Sequence, residues 1–390
     1  MRILQVHNRY RLPGGEDVVV AAERELLERA GHEVVVHQET NPSGTVESAW
    51  KLARAPWNRD AAEIVRNLAR WVRPDVAHVH NTWFALSPAV IPALRAANVP
   101  VVMTLHNYRL ICANAQLFRD GRPCEDCVGT HPWHGVRHAC YRGSPSASAS
   151  AAATIAVHNR RGTWDGDVEI FLALTQFARD RFIAGGLPPD RVRVKPNFVG
   201  DPGPRLQPPS ASDYLLYVGR LSPEKGLLVA LEAARRLGQR QWRLLVVGDG
   251  PLRQQAEALA VPGVEFTGWL PREDVCSLMH GARGLIFPSV WYEGFALTIV
   301  EAMAAGLPVI ASRLGGTPDV LGPDAGWLAP PGDAHSWRDA LAQTDEDVRV
   351  DAAGHAGRRR WRERYSPQVA LPQLEQLYET ARRSYVGAAT

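Results

Sequence analysis

Short, wholly apolar runs recur along this chain, separated by longer stretches whose apolar positions repeat every three to four residues. The first pattern suits strands buried on both faces, the second amphipathic helices. Strands are expected near residues 3–7, 33–37, 76–80, 99–105, 170–174 and 192–195, with helices at 17–30 and 86–97 between them. A second series follows at 214–218, 243–247, 264–267, 284–287, 309–311 and 326–328, with helices at 225–237 and 250–260. Strand–helix alternation of this kind defines βαβ units, so the fold class is α/β with parallel, doubly wound sheets.

The alternation breaks once. Pro196-Asn-Phe-Val-Gly-Asp-Pro-Gly-Pro204 and Gln207-Pro-Pro-Ser-Ala-Ser212 read as a linker, because Pro and Gly interrupt regular structure. The expected division is 1–198, 199–366 and a terminal helical stretch within 367–390. Two doubly wound domains joined in this way hold a ligand in the cleft between the carboxyl ends of their strands. Ser144–Ala153 is rich in Ser and Ala, and the apolar period behind it suits a helix start.

Composition narrows the class. Apolar residues make up 45% and charged residues 22%, as in soluble globular proteins. No run is long and apolar enough to span a membrane. The formal charge of +3 carries no nucleic-acid motif with it, so no nucleic-acid partner is expected. Met1 leads directly into a strand pattern without the layout of a signal peptide, which gives a cytoplasmic expectation.

The densest chemistry lies in Glu293-Gly-Phe-Ala-Leu-Thr-Ile-Val-Glu301. A helix starting near Phe295 would leave Glu293 ahead of it and carry Glu301 about two turns along. The amides of Gly294, Phe295, Ala296 and Leu297 would then face an anion at the helix N-terminus. By helix rise the acids would stand about 12 Å apart, too far for either glycosidase geometry. Gly219-Arg-Leu-Ser-Pro-Glu-Lys225-Gly follows a strand and brings Arg220 and Lys225 to one turn, where a glycine lets phosphate approach the backbone. Val246-Val-Gly248-Asp-Gly250 makes a further turn, as does Gly315-Gly316-Thr-Pro318. In the first half, Pro13-Gly14-Gly15-Glu16 opens a helix, and His106 ends the strand before Asn107-Tyr108. There Gly14 and Gly15 supply at least freedom in φ, and Glu16 suits a helix cap. His78 and His80 suit structural roles.

These motifs, in this order, resemble the family-four glycosyltransferases with their E-x7-E pattern and GT-B fold, two Rossmann-like doubly wound domains facing across a cleft. The resemblance covers nearly the whole chain. It implies a nucleotide-sugar donor, UDP- or GDP-linked, a hydroxyl acceptor and retention of anomeric configuration. It also implies an acceptor side in 1–198, a donor side in 199–366 and a last helix that crosses back. It gives His106 and Glu293 to the sugar, Arg220 and Lys225 to the diphosphate and Glu301 to the ribose. Gly14, Gly15, Gly219 and Gly248 fall at donor-binding turns. The acceptors it suggests are glycans, as in polysaccharide biosynthesis, lipid carriers and secondary metabolites.

Cys112, Cys124, Cys127 and Cys140 fall within an insert at 112–143. A Cys-x2-Cys knuckle with two outlying cysteines fits structural zinc; buried free thiols and an iron–sulfur cluster are the alternatives. Asp165-Gly-Asp167 and Asp345-Glu-Asp347 do not follow strands, so no catalytic divalent metal is expected. Tryptophans and bases from Trp50 to Arg73 form either an interfacial face, for peripheral contact with the cytoplasmic side of a membrane, or a solvated helix. The rival functions are a sugar-nucleotide epimerase on the same fold and a non-catalytic carbohydrate-binding protein.

Overall fold

The computed structural model describes residues 1–11, 14–238, 242–259 and 262–387. Pro13 of the Gly-Gly loop and Ala260 at the end of one expected helix lie outside them. The chain forms two compact units. The first comprises Met1–Leu117, Cys124–Pro196 and the segment from Ala370 onward; the second comprises Phe118–Pro123 and Asn197–Val369.

The first unit is built on a parallel sheet of β1 (Arg2–Arg9), β2 (Glu33–Thr40), β3 (Val76–Asn81), β4 (Val101–Leu105), β7 (Ile170–Ala173) and β8 (Val192–Val194). β5 (Phe118–Arg119) and β6 (Arg122–Pro123) form a separate antiparallel pair. The sheet order is β2-β1-β3-β4-β7-β8, so successive strands change direction of travel between β1 and β3. One face packs Ile3, Val76, Val102, Ile170 and Leu172 against Leu374, Tyr378 and Ala381 of the C-terminal helix Pro367–Gly387.

The second unit repeats the plan with β9 (Tyr214–Val218), β10 (Arg243–Val247), β11 (Val264–Gly268), β12 (Gly284–Phe287), β13 (Val309–Ser312) and β14 (Gly326–Ala329). Its order, β11-β10-β9-β12-β13-β14, puts the switch point between β9 and β12. Alternate residues of the inner strands enter different cores. Leu216, Leu285 and Val309 join one apolar cluster, while Leu215, Ile286 and Ile310 join the other. Burial on both faces is why these strands read as unbroken apolar runs.

Most elements fall where the pattern puts them, with local shifts that have physical reasons. The helix expected at 86–97 runs only Val90–Arg95, because Ser87 sits at φ 68° and Pro88 follows it. The helix at 225–237 begins at Leu227, after a short 3-10 turn at Pro223–Lys225. Ser144 caps the helix Pro145–Arg161, its side chain accepting from the Ala147 amide. The stretch expected to be a linker is fastened down. Arg205 Nη1 donates to Met279 O at 3.0 Å, and Ser210 donates twice to the Asp351 carboxylate. Hydrogen bonds to side chains replace the regular pairing that Pro and Gly deny it.

Candidate active site

In a doubly wound sheet, the loops leaving the carboxyl ends of the two strands beside the switch point diverge and leave a crevice. In the second unit those strands are β9 and β12. The loop after β9 carries Gly219, Arg220 and Lys225; the loop after β12 carries Ser289, Trp291 and Glu293. Lys225 Nζ lies 2.8 Å from Glu293 Oε1. The same oxygen accepts from Ser289 Oγ at 2.7 Å and from Trp291 Nε1 at 2.8 Å. Glu293 is 7% exposed, so its carboxylate is held in a nearly dry setting with three donors on one oxygen. The Lys225 ammonium also stands 5.2 Å from the centre of the Trp291 ring.

Lys225, expected beside Arg220 as a phosphate ligand, is thus paired with Glu293 in this structure, while Arg220 is exposed at the turn. Ser289 and Trp291 were not anticipated. The signal for them was Ser289-x-Trp291-x-Glu293, since alternate residues of an extended segment share a face.

The helix carrying Glu301 differs from expectation. It runs Leu297–Ala304 and starts two residues later than the sequence suggests. Ala296 has φ −82° and ψ 77°, and the Leu297 amide donates to Phe295 O at 3.0 Å. This is an inverse γ-turn, which occupies the Leu297 N–H in place of a ligand. Glu301 therefore lies only about one turn into the helix, and the two-turn spacing is corrected. Its partner is Arg272, with Nη2 2.9 Å from Glu301 Oε1. Burial raises the Glu301 carboxyl above its usual range, against the pull of Arg272. Arg272, Val275, Cys276, Met279 and Glu301 line a cavity of about 260 Å³ within this unit. Arg272 opens the helix Arg272–Gly281 and carried no motif that would have marked it.

Gly248 and Gly226 are required by packing. A Cβ at Gly248, which has φ 135°, would stand 2.0 Å from Gly219 O; at Gly226, φ 68°, it would stand 1.9 Å from Pro288 O. The turns after β9, β10 and β12 cross backbone against backbone, and side chains would push them apart.

In the first unit, Gly14 has φ −127° and open space around its Cβ direction, so freedom in φ is not what a glycine supplies there. Its amide donates to Asp17 Oδ2 at 2.9 Å, so Asp17 rather than Glu16 closes the helix cap. Glu16 accepts instead from Asn107 Nδ2 at 2.7 Å, and burial pushes its carboxyl up to about 7. A carboxyl group that titrates near neutrality, one residue from His106 through Asn107, is a functional candidate that the sequence showed only as a cap. His106 is 9% exposed, and its Nε2 lies 3.1 Å from His80 Nδ1. Burial, reinforced by neighbouring positive charge, holds the His106 ring well below the usual histidine range.

Among the described residues, Glu23, His78 and His80 bring their ligand atoms within 4.8 Å of one another. Lys195 donates to the same Glu23 carboxylate, and both side chains are 1% exposed, so this cluster already contains its cation. The four insert cysteines are free thiols. Burial pushes Cys127 up to about 12, with Cys112, Cys140 and Cys124 adding to the rise. Cysteine thiolates are ligands that suit a soft cation. Asp345 and Asp347 are taken up by Trp242 and Arg283. Of the tryptophans between 50 and 73, Trp57 stacks on His158, while Trp50 and Trp71 are exposed.

Two doubly wound units, one with a dry carboxylate–lysine pair at its switch point and a second acid beside a nucleoside-sized cavity, define a GT-B glycosyltransferase architecture. The comparisons agree. Residues 14–197 match the glycosyl transferase 4-like domain, and residues 212–347 match glycosyl transferases group 1. The chain belongs to this glycosyltransferase family. It is 29% identical to a phosphatidyl-myo-inositol mannosyltransferase of Mycobacterium leprae, across 96% of this chain and 95% of that protein. Among solved structures, the sucrose-phosphate synthase of Thermosynechococcus elongatus superposes with a TM-score of 0.73 at 20% identity, covering 100% of both chains. Anabaena HepE in complex with UDP superposes with a TM-score of 0.67 at 20% identity, covering 97% of this chain and 100% of that one.

Proposed function

We propose that this enzyme transfers a hexosyl group from a nucleoside-diphosphate sugar to a hydroxyl acceptor, with retention at the anomeric carbon. The observation that carries the reading is the Glu293 carboxylate, held on one oxygen by Lys225, Ser289 and Trp291 at the switch point of the second unit. Its second oxygen remains to meet sugar hydroxyls or positive charge that develops at the anomeric centre. Departure of a diphosphate needs cations and N–H dipoles aimed at it. Lys225, Arg220 and the amides of Gly294, Phe295 and Ala296 take that role, and Gly219 and Gly248 keep the backbone open there. Glu301 and Arg272 bind the ribose end, in the cavity they line. His106 is the first unit's group for the transferred sugar, and Gly14 and Gly15 offer bare backbone to the diphosphate. UDP is the favoured nucleotide, because a structure of similar fold holds it. Cys112, Cys124, Cys127 and Cys140 hold a structural zinc that pins the insert.

A thermal-shift screen of UDP-, GDP- and dTDP-sugars identifies the donor. Release of nucleoside diphosphate that depends on an added acceptor then separates a transferase from an epimerase, which releases none. No stabilisation by any nucleotide sugar would refute the reading. Elemental analysis of untagged protein checks the insert: about one equivalent of zinc is expected, as in four-ligand sites, and none overturns that assignment.

A further inference from the structure

We propose that Gln5 and His80 are positioning residues that fix which ring nitrogen of His106 carries its proton, so that Nδ1–H is the donor His106 presents. The inference rests on the reading that His106 serves the transferred sugar. It deepens that reading by giving the ring a direction.

The three residues lie on neighbouring strands. Gln5 of β1 pairs in register with His78 of β3, His80 follows two residues on, and His106 stands just past the end of β4. The Gln5 side-chain nitrogen lies 3.2 Å from Val20 O and 3.2 Å from His80 Nε2. A carbonyl oxygen only accepts, so the Gln5 atom facing it is the NH2 group. The opposite amide orientation would set two oxygens against each other and leave both amide hydrogens without acceptors. The orientation present leaves only Gln5 Oε1 without a partner, and a lone acceptor is better tolerated than a lone N–H.

With one Gln5 hydrogen on Val20 O, the other goes to His80 Nε2, which therefore accepts. The hydrogen of the neutral His80 ring is then on Nδ1. That atom lies 3.1 Å from His106 Nε2 and donates to it. His106 Nε2 accepts, which leaves the ring's one hydrogen on Nδ1. Glu23 does not compete for His80. Its Oε2 is 3.7 Å from His80 Nε2, beyond hydrogen-bond range, and its Oε1 is bound by Lys195. Both rings are held well below the usual histidine range by burial first, so the neutral forms this chain requires are the ones present. A fixed Nδ1–H suits the oxygen of a sugar hydroxyl. It also removes His106 Nε2 as a proton acceptor for substrate, because His80 already occupies that lone pair.

Long-range 1H–15N correlation on enzyme labelled at histidine nitrogens tests this, with the two rings assigned by loss of their signals in His80→Phe and His106→Gln. The expected result at pH 7 is protonated Nδ1 and bare Nε2 on both rings. A hydrogen on His106 Nε2, or an imidazolium, overturns the proposal. Gln5→Leu keeps the volume and removes the donor. It is expected to mix the His106 tautomers and lower kcat about tenfold to a hundredfold, with the donor KM within about twofold, as loss of an orienting partner does. Mixed tautomers with unchanged kcat overturn the positioning role. If Gln5→Leu does not fold, the wild-type spectrum alone decides the proton's place. Full turnover in His106→Ala refutes the role of His106 itself, a failure separate from a wrong tautomer in the spectrum.

Discussion

Replacement of Glu293 by Gln removes one charge and almost no volume, so it isolates the Lys225–Glu293 interaction. At 2.8 Å, two unit charges attract by about 6 kcal/mol gross at an effective dielectric of about 20. Desolvation offsets much of that, and a hydrogen bond with a charged partner retains about 1.5–3 kcal/mol net. The pair has side-chain exposures of 25% and 9%, so solvent screens it less than a surface pair. Glu293→Gln leaves an ammonium that still reaches water, while Lys225→Met leaves a carboxylate with Ser289 and Trp291 as donors. Neither variant strands a fully buried charge, so both are expected to fold. A double-mutant cycle by urea denaturation is expected to give a coupling of about 2 kcal/mol. In turnover, the loss of 2–3 kcal/mol of transition-state stabilisation corresponds to a fall in kcat of about 30- to 150-fold, read as nucleoside diphosphate release. Coupling below about 0.5 kcal/mol, together with near-wild-type kcat in Glu293→Gln, would refute the claim that Lys225 holds this carboxylate for the chemistry.

Glu301→Ala is expected to weaken nucleotide binding about tenfold to a hundredfold by calorimetry, the worth of a charged hydrogen bond to ribose. Arg272→Ala should change unfolding stability by less than about 1 kcal/mol, because its pair with Glu301 is 60% exposed on the arginine side. Gly248→Ala, which places a methyl 2.0 Å from Gly219 O at φ 135°, is expected to destabilise by about 3 kcal/mol or more in denaturant midpoint; a wild-type midpoint would contradict the crossing of the two turns. Burial lowers His78 and His158 to about 4. Their depressed folded-state values confer stability above the unfolded value near 6.5, lost as pH falls through about 4, on the order of 3 kcal/mol each. Glu16, raised to about 7, acts in the opposite sense: its contribution is present below about 4.5 and is lost as pH rises through 7. Melting curves from pH 4 to 8 on the wild type, His158→Phe and Glu16→Gln separate the two limbs.

The architecture was legible because burial on both sheet faces writes continuous apolar runs, and each of the twelve expected strands coincides with a strand of the two parallel sheets. Boundaries were less legible wherever a side chain supplied what the backbone pattern could not. The stretch 196–212 reads as a linker by its prolines and glycines, yet Asp351, more than a hundred residues away, holds Ser210 by two hydrogen bonds. Composition carries no record of a partner so distant. The late start of the helix at Leu297 has the same origin: nothing in Phe295-Ala-Leu297 announces a γ-turn, because its one bond is local and independent of side chains.

For the site, spacing told less than topology. Counting from Glu293 to Glu301 suggests one acid ahead of a helix and the other about two turns along it. The structure separates them by partner. Glu293 answers to the loop after β9, through Lys225; Glu301 answers to Arg272, at the start of a helix that precedes β12. The strand order produces this division. With β9 and β12 adjacent at the switch point, the loops that leave them must face each other, and a lysine on one meets a glutamate on the other across 68 residues of sequence. The same logic applies in the first unit. Gln5, His80 and His106 look unrelated along the chain, but adjacent parallel strands in register put them on one face. Both constellations become readable once strand order is known, and strand order is what a single sequence leaves open. Pairs of polar residues that follow strands flanking a switch point are therefore the place to look for chemistry that motif spacing does not reveal.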